Sequence, residues 1–551
     1  MRRGAAALGL LVALAACAHP VNRSHRAPAG GDAFPALIAS SRDLGPVAPG
    51  RAVQLVLQLA DPSERARADR LRAIYTPGNP DFGRPLTPAE YDRAFGPPAA
   101  SVSPILRALA GAGLHAAWQP GNAYLTVDGP AAAVDAEFGT RTHDYQARSG
   151  RHFYASAGDP QVPEPLQPAV TAAAHLTDYA QARTHNVPPG GLKPSDLATA
   201  YDFKPLRDLG LDGTGETVVF MEVDGFDQAD LDAYSAHFNL PELKAGPANL
   251  KSQGETIMDL EVVHAMVPQA RLVLYNQQPT TNNGWLNRTS EMVNGSPGMV
   301  VSISLGGCEP ADGKVLTAAE KAIYDKAVAL GETVFVSTGD SGAYTCLTED
   351  FGAVPSDEFV GASTPAIYPS VTAVGGTRLS PRADDSWLNE EVWEQPASTG
   401  GGGGNVSVFF PRPDWQVAPG TDNQYNPQKM RSIPDISADA DTSTGVAILD
   451  TGSWSQGGGT SQSAPIWAGI TVLVNQYLKK QQLKPVGFLN PALYALAAGK
   501  PPFPPFHDIT IGTNLVYPPP PATTSPPASA LPTCWNLARD LEAYQKNGGR
   551  I

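Results

Sequence analysis

The sequence predicts an α/β protein: a parallel sheet with helices on both faces, preceded by a small α+β domain. Three observations predict it. At 551 residues the chain exceeds one ordinary domain and implies two or three. Beyond residue 217, short apolar runs alternate with helical stretches, the pattern of strands buried on both faces. Between about 51 and 179, strand-like alternation and short helices form a separate α+β pattern.

Composition narrows the function. A formal net charge of −15 argues against nucleic acid as a partner. With 54 glycines and 53 prolines, long connections and irregular surface segments are expected. Met1-Arg2-Arg3 is a short positive region, and Ala5 to Ala16 is an apolar run too short to span a bilayer. It ends Leu14-Ala15-Ala16-Cys17, which resembles a bacterial lipoprotein box with Cys17 acylated. Ala18 after the cysteine, by the same resemblance, favours the outer membrane. Export permits disulfides. With Cys17 spent, Cys308, Cys346 and Cys534 remain, and an odd number leaves one unpaired. Cys308 and Cys346 each follow an expected strand and are the favoured pair.

In chain order, residues 1–17 read as the lipoprotein signal and 18–48, rich in Ala, Pro, Gly and Arg, as a tether. Residues 49–180 form the α+β unit. Val53–Leu59 alternates as a strand, Glu64–Ile74 and Pro104–Ala112 read as helices, Ala123–Val127 as a strand and Ala131–Phe138 as a helix. A Pro/Gly-containing junction covers 181–191, and 192–551 is the larger domain. Its expected strands are Thr217–Glu222, Arg271–Tyr275, Val300–Ser304, Thr333–Val336 and Val371–Val374. Its expected helices are Gln228–His237, Ile257–Met266 and Thr317–Ala329. Chemistry on such sheets sits at the carboxyl ends of the strands.

Three stretches carry that chemistry. Gly457-Gly458-Gly459-Thr460-Ser461-Gln462-Ser463-Ala464-Pro465 brings a hydroxyl to the start of an apolar helix, where a serine is exposed to backbone donors and suits a nucleophile. A glycine loop with an ordinary serine cap explains those nine residues equally well. In Gly254 to Met266, Glu255 and Asp259 are i,i+4 neighbours whose side continues into Val262, Val263 and Met266. Like charges on a partly buried face raise at least one carboxyl pKa, although a charged helix start would also place Glu255 there. In Val336-Ser337-Thr338-Gly339-Asp340-Ser341-Gly342, a strand delivers Asp340 to the carboxyl edge. Gly-Asp-Ser-Gly also resembles a chymotrypsin-like nucleophile, with His175 as its histidine. That reading fails, because Leu176 stands where a cysteine belongs and the α/β alternation contradicts a β-barrel. None of the ten histidines has the setting of a subtilisin-like base, so a carboxylate must take that role.

In combination these motifs resemble the sedolisin family of serine-carboxyl peptidases, kumamolisin-like, with an N-terminal activation prosegment. Tyr75 to Tyr91, Val127-Asp128-Gly129, Phe138-Gly139-Thr140 and His152-Phe153-Tyr154-Ala155 resemble the prosegment. Ser302-Ile303-Ser304, Gly400 to Gly404 with Ser407, and Ile433 to Ser437 resemble further family segments. The resemblance implies a subtilisin-like catalytic sheet and an acid-acting endopeptidase made as a proenzyme. It implies Ser461 as nucleophile, Glu255 as base, Asp259 as the third triad member and a protonated Asp340 in the oxyanion hole. It implies polypeptide substrates, the chain's own prosegment as inhibitor and a monomer, which the lipoprotein box at Cys17 would anchor to the membrane until the mature domain is released. It also implies one calcium ion. Asp508 and Ile509 match the first half of the calcium loop, while Pro532, Cys534 and Asn536 stand where the second half usually carries glycines and an aspartate. The proline-rich insertion 517–532 has no counterpart. The rival reading is a catalytically silent, peptide-binding surface lipoprotein on the same fold.

Overall fold

The computed structural model describes residues 34–550, apart from 149, 157, 180–190, 244, 247–249, 277–280, 347–359, 396–399 and 519–529. Cys17, most of the junction and most of the proline-rich insertion lie outside the described residues. Among the described residues, no helix is long and apolar enough to cross a membrane.

The N-terminal unit starts earlier than its sequence suggests. Phe34–Ser40 is helix α1 and Arg42–Pro46 strand β1, so the stretch expected as a tether contains part of a folded domain. Phe34 and Leu37 are buried against Tyr145 and Phe153, an anchoring role that the Pro- and Gly-rich composition around them hides. There follow β2 (Ala52–Leu59), α2 (Glu64–Tyr75), α3 (Pro88–Phe95), α4 (Ala99–Gly111), β3 (His115–Ala117), β4 (Tyr124–Pro130), α5 (Ala131–Phe138), β5 (Thr142–Gln146), β6 (His152–Ser156) and β7 (Val170–Ala173). They build an antiparallel sheet β3-β4-β2-β7 and a smaller sheet β1-β5-β6. Helix α4 begins five residues before the expected start and carries Pro104 inside it. Pro104 is the sixth residue of the helix, beyond the first turn, so its missing N–H removes one intrahelical hydrogen bond, to the carbonyl of Ala100. Thr87 and Glu90 form a reciprocal capping box on α3, with Pro88 at its first position.

The larger domain contributes α6 (Pro194–Ala200), α7 (Lys204–Asp208), β8 (Thr217–Glu222), α8 (Gln228–His237), α9 (Glu255–Met266), β9 (Arg271–Asn276), α10 (Asn282–Gly295), β10 (Val300–Ile303), β11 (Gly307–Cys308), α11 (Glu309–Ala329), β12 (Thr333–Ser337), β13 (Ser363–Thr364), β14 (Thr372–Pro381) and β15 (Trp387–Val392). The remainder is β16 (Glu394–Gln395), β17 (Gly400–Gly401), β18 (Asn405–Pro411), β19 (Met430–Ile433), β20 (Ile436–Asp439), β21 (Ala447–Asp450), β22 (Ser453–Gln456), α12 (Thr460–Lys480), α13 (Asn490–Ala498), β23 (Phe506–Asp508), β24 (Ala530–Pro532) and α14 (Cys534–Lys546). The main sheet runs β15-β14-β12-β10-β8-β9, with β20 also paired to β14, and only β15 is antiparallel. Val218, Phe220, Phe335 and Val374 face one buried layer with α9 and α12, and Val219, Met221, Val301 and Val334 face another with α10 and α11. Both faces are covered, as the near-continuous apolar strands require. Helix α11 extends to Glu309, eight residues before its expected start, across a non-helical Gly313 at φ 74° that breaks the sequence periodicity.

The two domains share a core. Val56, Tyr91, Tyr124 and Ala174 of the N-terminal unit pack into one cluster with Leu286, Ile323, Tyr324 and Ala327 of α10 and α11. Polar contacts fix the register. Tyr75 Oη donates to the Val328 carbonyl at 2.6 Å and Tyr124 Oη to Leu286 at 3.0 Å. Arg67 bridges Asp61 at 2.6 Å and Asp325 at 3.3 Å, and Lys326 pairs with Asp92.

Candidate active site

The site assembles where strands end and helices begin. Glu222 closes β8, Ser304 follows β10, and Asp340 follows β12, all at the carboxyl edge of the parallel sheet. Facing them are the N-termini of α9 and α12, which begin at Glu255 and Thr460.

Helix α9 starts at Gly254, held at φ 97° in the left-handed region where glycine carries no steric penalty. Its orphan N–H groups are capped from a distance: the Asp224 carboxylate accepts from Gln253 N at 2.7 Å and Thr256 N at 3.0 Å. All twelve residues of α9 are buried, so no polar side exists and both Glu255 and Asp259 are internal. The expected apolar face is thus the whole circumference. Gly469 of α12 permits that packing, since a Cβ there would lie 2.8 Å from Met266 Sδ.

Helix α12 presents the nucleophile. Gly459 adopts φ 81°, and a Cβ at that position would collide with the Asp340 carboxyl. Asp340 Oδ1 accepts from Thr460 N at 2.7 Å and from Thr460 Oγ1 at 2.9 Å, while Gly339 N donates to Thr460 Oγ1 at 3.0 Å. This ring fixes Asp340 beside Ser461. From the other side, Gly401 N donates to the Asp340 carbonyl at 2.8 Å and Gly403 N to Gly339 at 2.8 Å. The Cys308–Cys346 disulfide forms as expected, with Cα atoms 5.1 Å apart, and ties the chain beyond Ser304 to the chain beyond Asp340.

All four predicted residues therefore converge. Ser461 Oγ donates to the Ser304 carbonyl at 3.2 Å, and Ser304 Oγ donates to Asp259 at 3.0 and 2.7 Å. Burial pushes the Glu255 carboxyl well above its ordinary range, and the nearby Asp259 charge adds to this, while the Ser461 hydroxyl works in the opposite direction. Neither Glu255 oxygen has a well-aligned partner, because the one Ser461 hydrogen points to Ser304. A rotation of that hydroxyl transfers it to Glu255, a tightening expected on substrate binding. Burial also raises Asp259 to about 8, against the lowering effect of Ser304 and Glu222.

Sequence reasoning missed Glu222. It is fully buried, its carboxyl is pushed well above the ordinary range chiefly by burial and then by the Asp259 and Glu255 charges, and it lies within hydrogen-bonding reach of Asp259. The available signal was a carboxylate closing an apolar strand at the edge where parallel sheets do chemistry. The set ionises as a unit rather than residue by residue.

The expected calcium ligands lie on the β23–β24 ladder and the first turn of α14. Asp508 pairs with Ala530 in the β23–β24 ladder, and Pro532 lies opposite Phe506, two residues away. Cys534 opens α14, which turns its carbonyl into the helix ladder. Asn536 Nδ2 donates to Pro504 at 3.0 Å, four residues from Asp508. Among the described residues, no group of three His, Cys, Asp or Glu side chains forms a metal site. Cys534 is buried and outside the disulfide. A cavity of about 620 Å³ beside Gly402–Gly404, bounded by Tyr425, Tyr494 and Tyr517, includes none of the four predicted residues.

Comparison with known proteins agrees with this arrangement. Residues 39–179 match the pro-kumamolisin activation domain and residues 245–490 the subtilase family. The chain is 33% identical to kumamolisin from Bacillus sp. (strain MN-32) over 423 residues, covering 70% of this chain and 72% of that one. Sedolisin from Pseudomonas sp. (strain 101) is 28% identical over 516 residues, covering 86% and 84%. A structure of Pseudomonas sedolisin, a serine-carboxyl proteinase complexed with two molecules of pseudo-iodotyrostatin, superposes with a TM-score of 0.53 at 27% identity, covering 66% of this chain and 99% of that one. Tripeptidyl-peptidase sed4 from Aspergillus fumigatus is 26% identical, covering 84% of each chain. With Ser461, two buried helical carboxylates and Asp340 drawn together behind an activation domain, the chain belongs to the kumamolisin and sedolisin family of serine-carboxyl peptidases.

Proposed function

We propose that this chain is an acid-acting endopeptidase in which Ser461, Glu255 and Asp259 form the triad and Asp340 serves the oxyanion. The observation that carries the reading is the meeting of these four side chains at one sheet edge. Ser461 Oγ attacks the scissile carbonyl carbon, and its proton passes to Glu255. Asp259, held by Ser304 and Glu222, orients Glu255 and stabilises its changes of charge. Asp340 donates from its protonated carboxyl to the tetrahedral oxyanion. Glu255 then returns the proton to the leaving amine, and water hydrolyses the acyl-enzyme by the same route. Asp340 donates only while neutral, so activity belongs to acid and fades as pH rises towards 7.

The N-terminal unit acts as inhibitor and folding partner, docked on α10 and α11. Cys17 anchors the precursor to the outer membrane as a lipoprotein, and cutting within 181–191 releases the mature domain. Kinship with both a serine-carboxyl proteinase and a tripeptidyl-peptidase makes the mode of cleavage a point to test. An N-acetylated, internally quenched peptide at pH 4 is the discriminating substrate, because a tripeptidyl-peptidase needs a free amine. Internal cleavage by wild type and none by Ser461→Ala supports the proposal. Cleavage only of unblocked peptides, three residues at a time, overturns the endopeptidase mode. Equal inactivity of both proteins at every pH favours the silent peptide-binding lipoprotein.

A further inference from the structure

Directly after the nucleophile lies Gln462, fully buried and engaged at both ends of its amide. Nε2 donates to the Asp439 carbonyl at 3.0 Å and to Asp439 Oδ2 at 3.1 Å. Oε1 accepts from Val446 N at 2.9 Å. The same segment grips the nucleophile turn through its backbone: Gly459 N donates to Ala440 at 2.7 Å and Gly457 N to Val446 at 2.6 Å. On the far side of Val446 lies the first described stretch of the larger domain. Leu192 N donates to Gly445 at 2.8 Å and Ala447 N donates back to Leu192 at 2.9 Å. Gly191, at φ 119°, approaches so closely that a Cβ would collide with the Ala447 backbone.

The geometry points to Gln462 as a positioning residue that couples the strand Gly191–Leu192, at the start of the peptidase domain, to the placement of Ser461. The chain of contacts is continuous: Leu192 sets Gly445–Ala447, Val446 holds Gln462 Oε1, and Asp439 holds Nε2. Turning the first turn of α12 requires breaking both amide bonds inside a buried site, where an unmet polar group is costly. Asp439 is itself fixed, with Oδ1 accepting from Thr444 Oγ1 at 2.7 Å and Leu379 N at 3.0 Å. The other titratable groups acting on Asp439 or affected by it are Asp441, Glu390 and Tyr201. The arrangement also sets a limit on processing: a cut before Gly191 leaves the brace intact, and trimming past Leu192 removes it.

This inference rests on Ser461 being the nucleophile, so Ser461→Ala is assayed alongside; activity in that variant would overturn the nucleophile itself. The test compares full-length variants, acid-processed and normalised to processed enzyme, on the internally quenched peptide. Gln462→Met keeps the volume and removes both bonds, and should lower kcat by about 10-fold or more with KM little changed. Gln462→Glu retains the acceptor for Val446 and can donate to Asp439 only when protonated, so its activity should recover in acid and fall at lower pH than wild type. Leu192→Pro deletes the donor to Gly445 and should resemble Gln462→Met, whereas Leu192→Ala keeps it and should resemble wild type. A folded Gln462→Met with wild-type kcat, or a Gln462→Glu profile parallel to wild type, overturns the proposal. If Gln462→Met yields no folded protein, the Leu192 pair decides: equal kcat for Pro and Ala overturns it.

Discussion

The Ser304 hydroxyl donates to both oxygens of the Asp259 carboxylate, at 3.0 and 2.7 Å, while its own carbonyl receives the Ser461 hydroxyl at 3.2 Å. One residue thus touches the nucleophile with its backbone and the third triad member with its side chain. With Asp259 raised to about 8 the acceptor is neutral in acid, and a hydrogen bond between neutral groups contributes about 0.5–1.5 kcal/mol, or roughly 2- to 10-fold in rate. Ser304→Ala should therefore lower kcat by that order and leave the fold intact, since only a hydroxyl is lost. Steady-state kinetics with circular dichroism checks both halves; an unchanged kcat would remove Ser304 from the machinery.

Stability should fall as pH rises. Asp259 is raised to about 8 by burial, and Glu255 and Glu222 are raised in the same direction. The folded protein then holds protons that the unfolded chain has released, so each extra bound proton costs about 1.4 kcal/mol of stability per pH unit. The effect begins above the ordinary carboxylate range and continues through about pH 8. Thermal unfolding of Ser461→Ala, which cannot digest itself, should give a higher midpoint at pH 5 than at pH 8. Asp259→Asn should flatten that slope.

Docking of the activation domain should respond in the opposite direction. Although buried, Asp325 is held below its ordinary range, by Lys321 first and by Arg67 of the activation domain next. A depressed pKa stabilises the docked state above the ordinary carboxylate range and loses that stabilisation as pH falls through the lowered value. Lys321 belongs to the same helix as Asp325, so only the Arg67 share depends on docking. Arg67→Ala should let the precursor convert at a higher pH than wild type, read by gel after incubation at stepped pH. Conversion at an unchanged pH would exclude this pair from the trigger.

Calcium removal should have little effect. Asn536 is directed to Pro504, and the remaining expected ligands are spread along β23 and the start of α14. EDTA treatment of the processed enzyme should leave its unfolding midpoint unchanged. A fall of several degrees, restored by calcium, would show that these groups gather around an ion after all.

Much of this was legible before any coordinates. Strands Thr217–Glu222 and Val300–Ile303 and helix Gln228–His237 announce themselves because buried apolar runs and helical periodicity leave local marks. Ser461, Glu255, Asp259 and Asp340 stand out through the combined motifs that resemble a family, because each stretch alone fits a serine cap or a charged helix start equally well. Glu222 leaves no such mark: a lone carboxylate ending a strand acquires meaning only when the neighbouring strand and α9 close around it. Helix α1 is hidden for a related reason, since its seven residues derive their order from Tyr145 and Phe153, over a hundred positions away.

The shared cluster of Val56, Tyr91 and Tyr124 with Leu286, Tyr324 and Ala327 has a consequence for the lifetime of the enzyme. On the proposed cut, Val56, Tyr91, Tyr124 and Ala174 would leave with the activation domain, and the face they cover would become wet. The processed peptidase should then persist through the height of its unfolding barrier rather than the depth of its energy well. Processed Ser461→Ala, prepared by cleavage in trans, should fail to regain its fold after dilution from urea on its own. It should recover when the separate activation domain is returned to it.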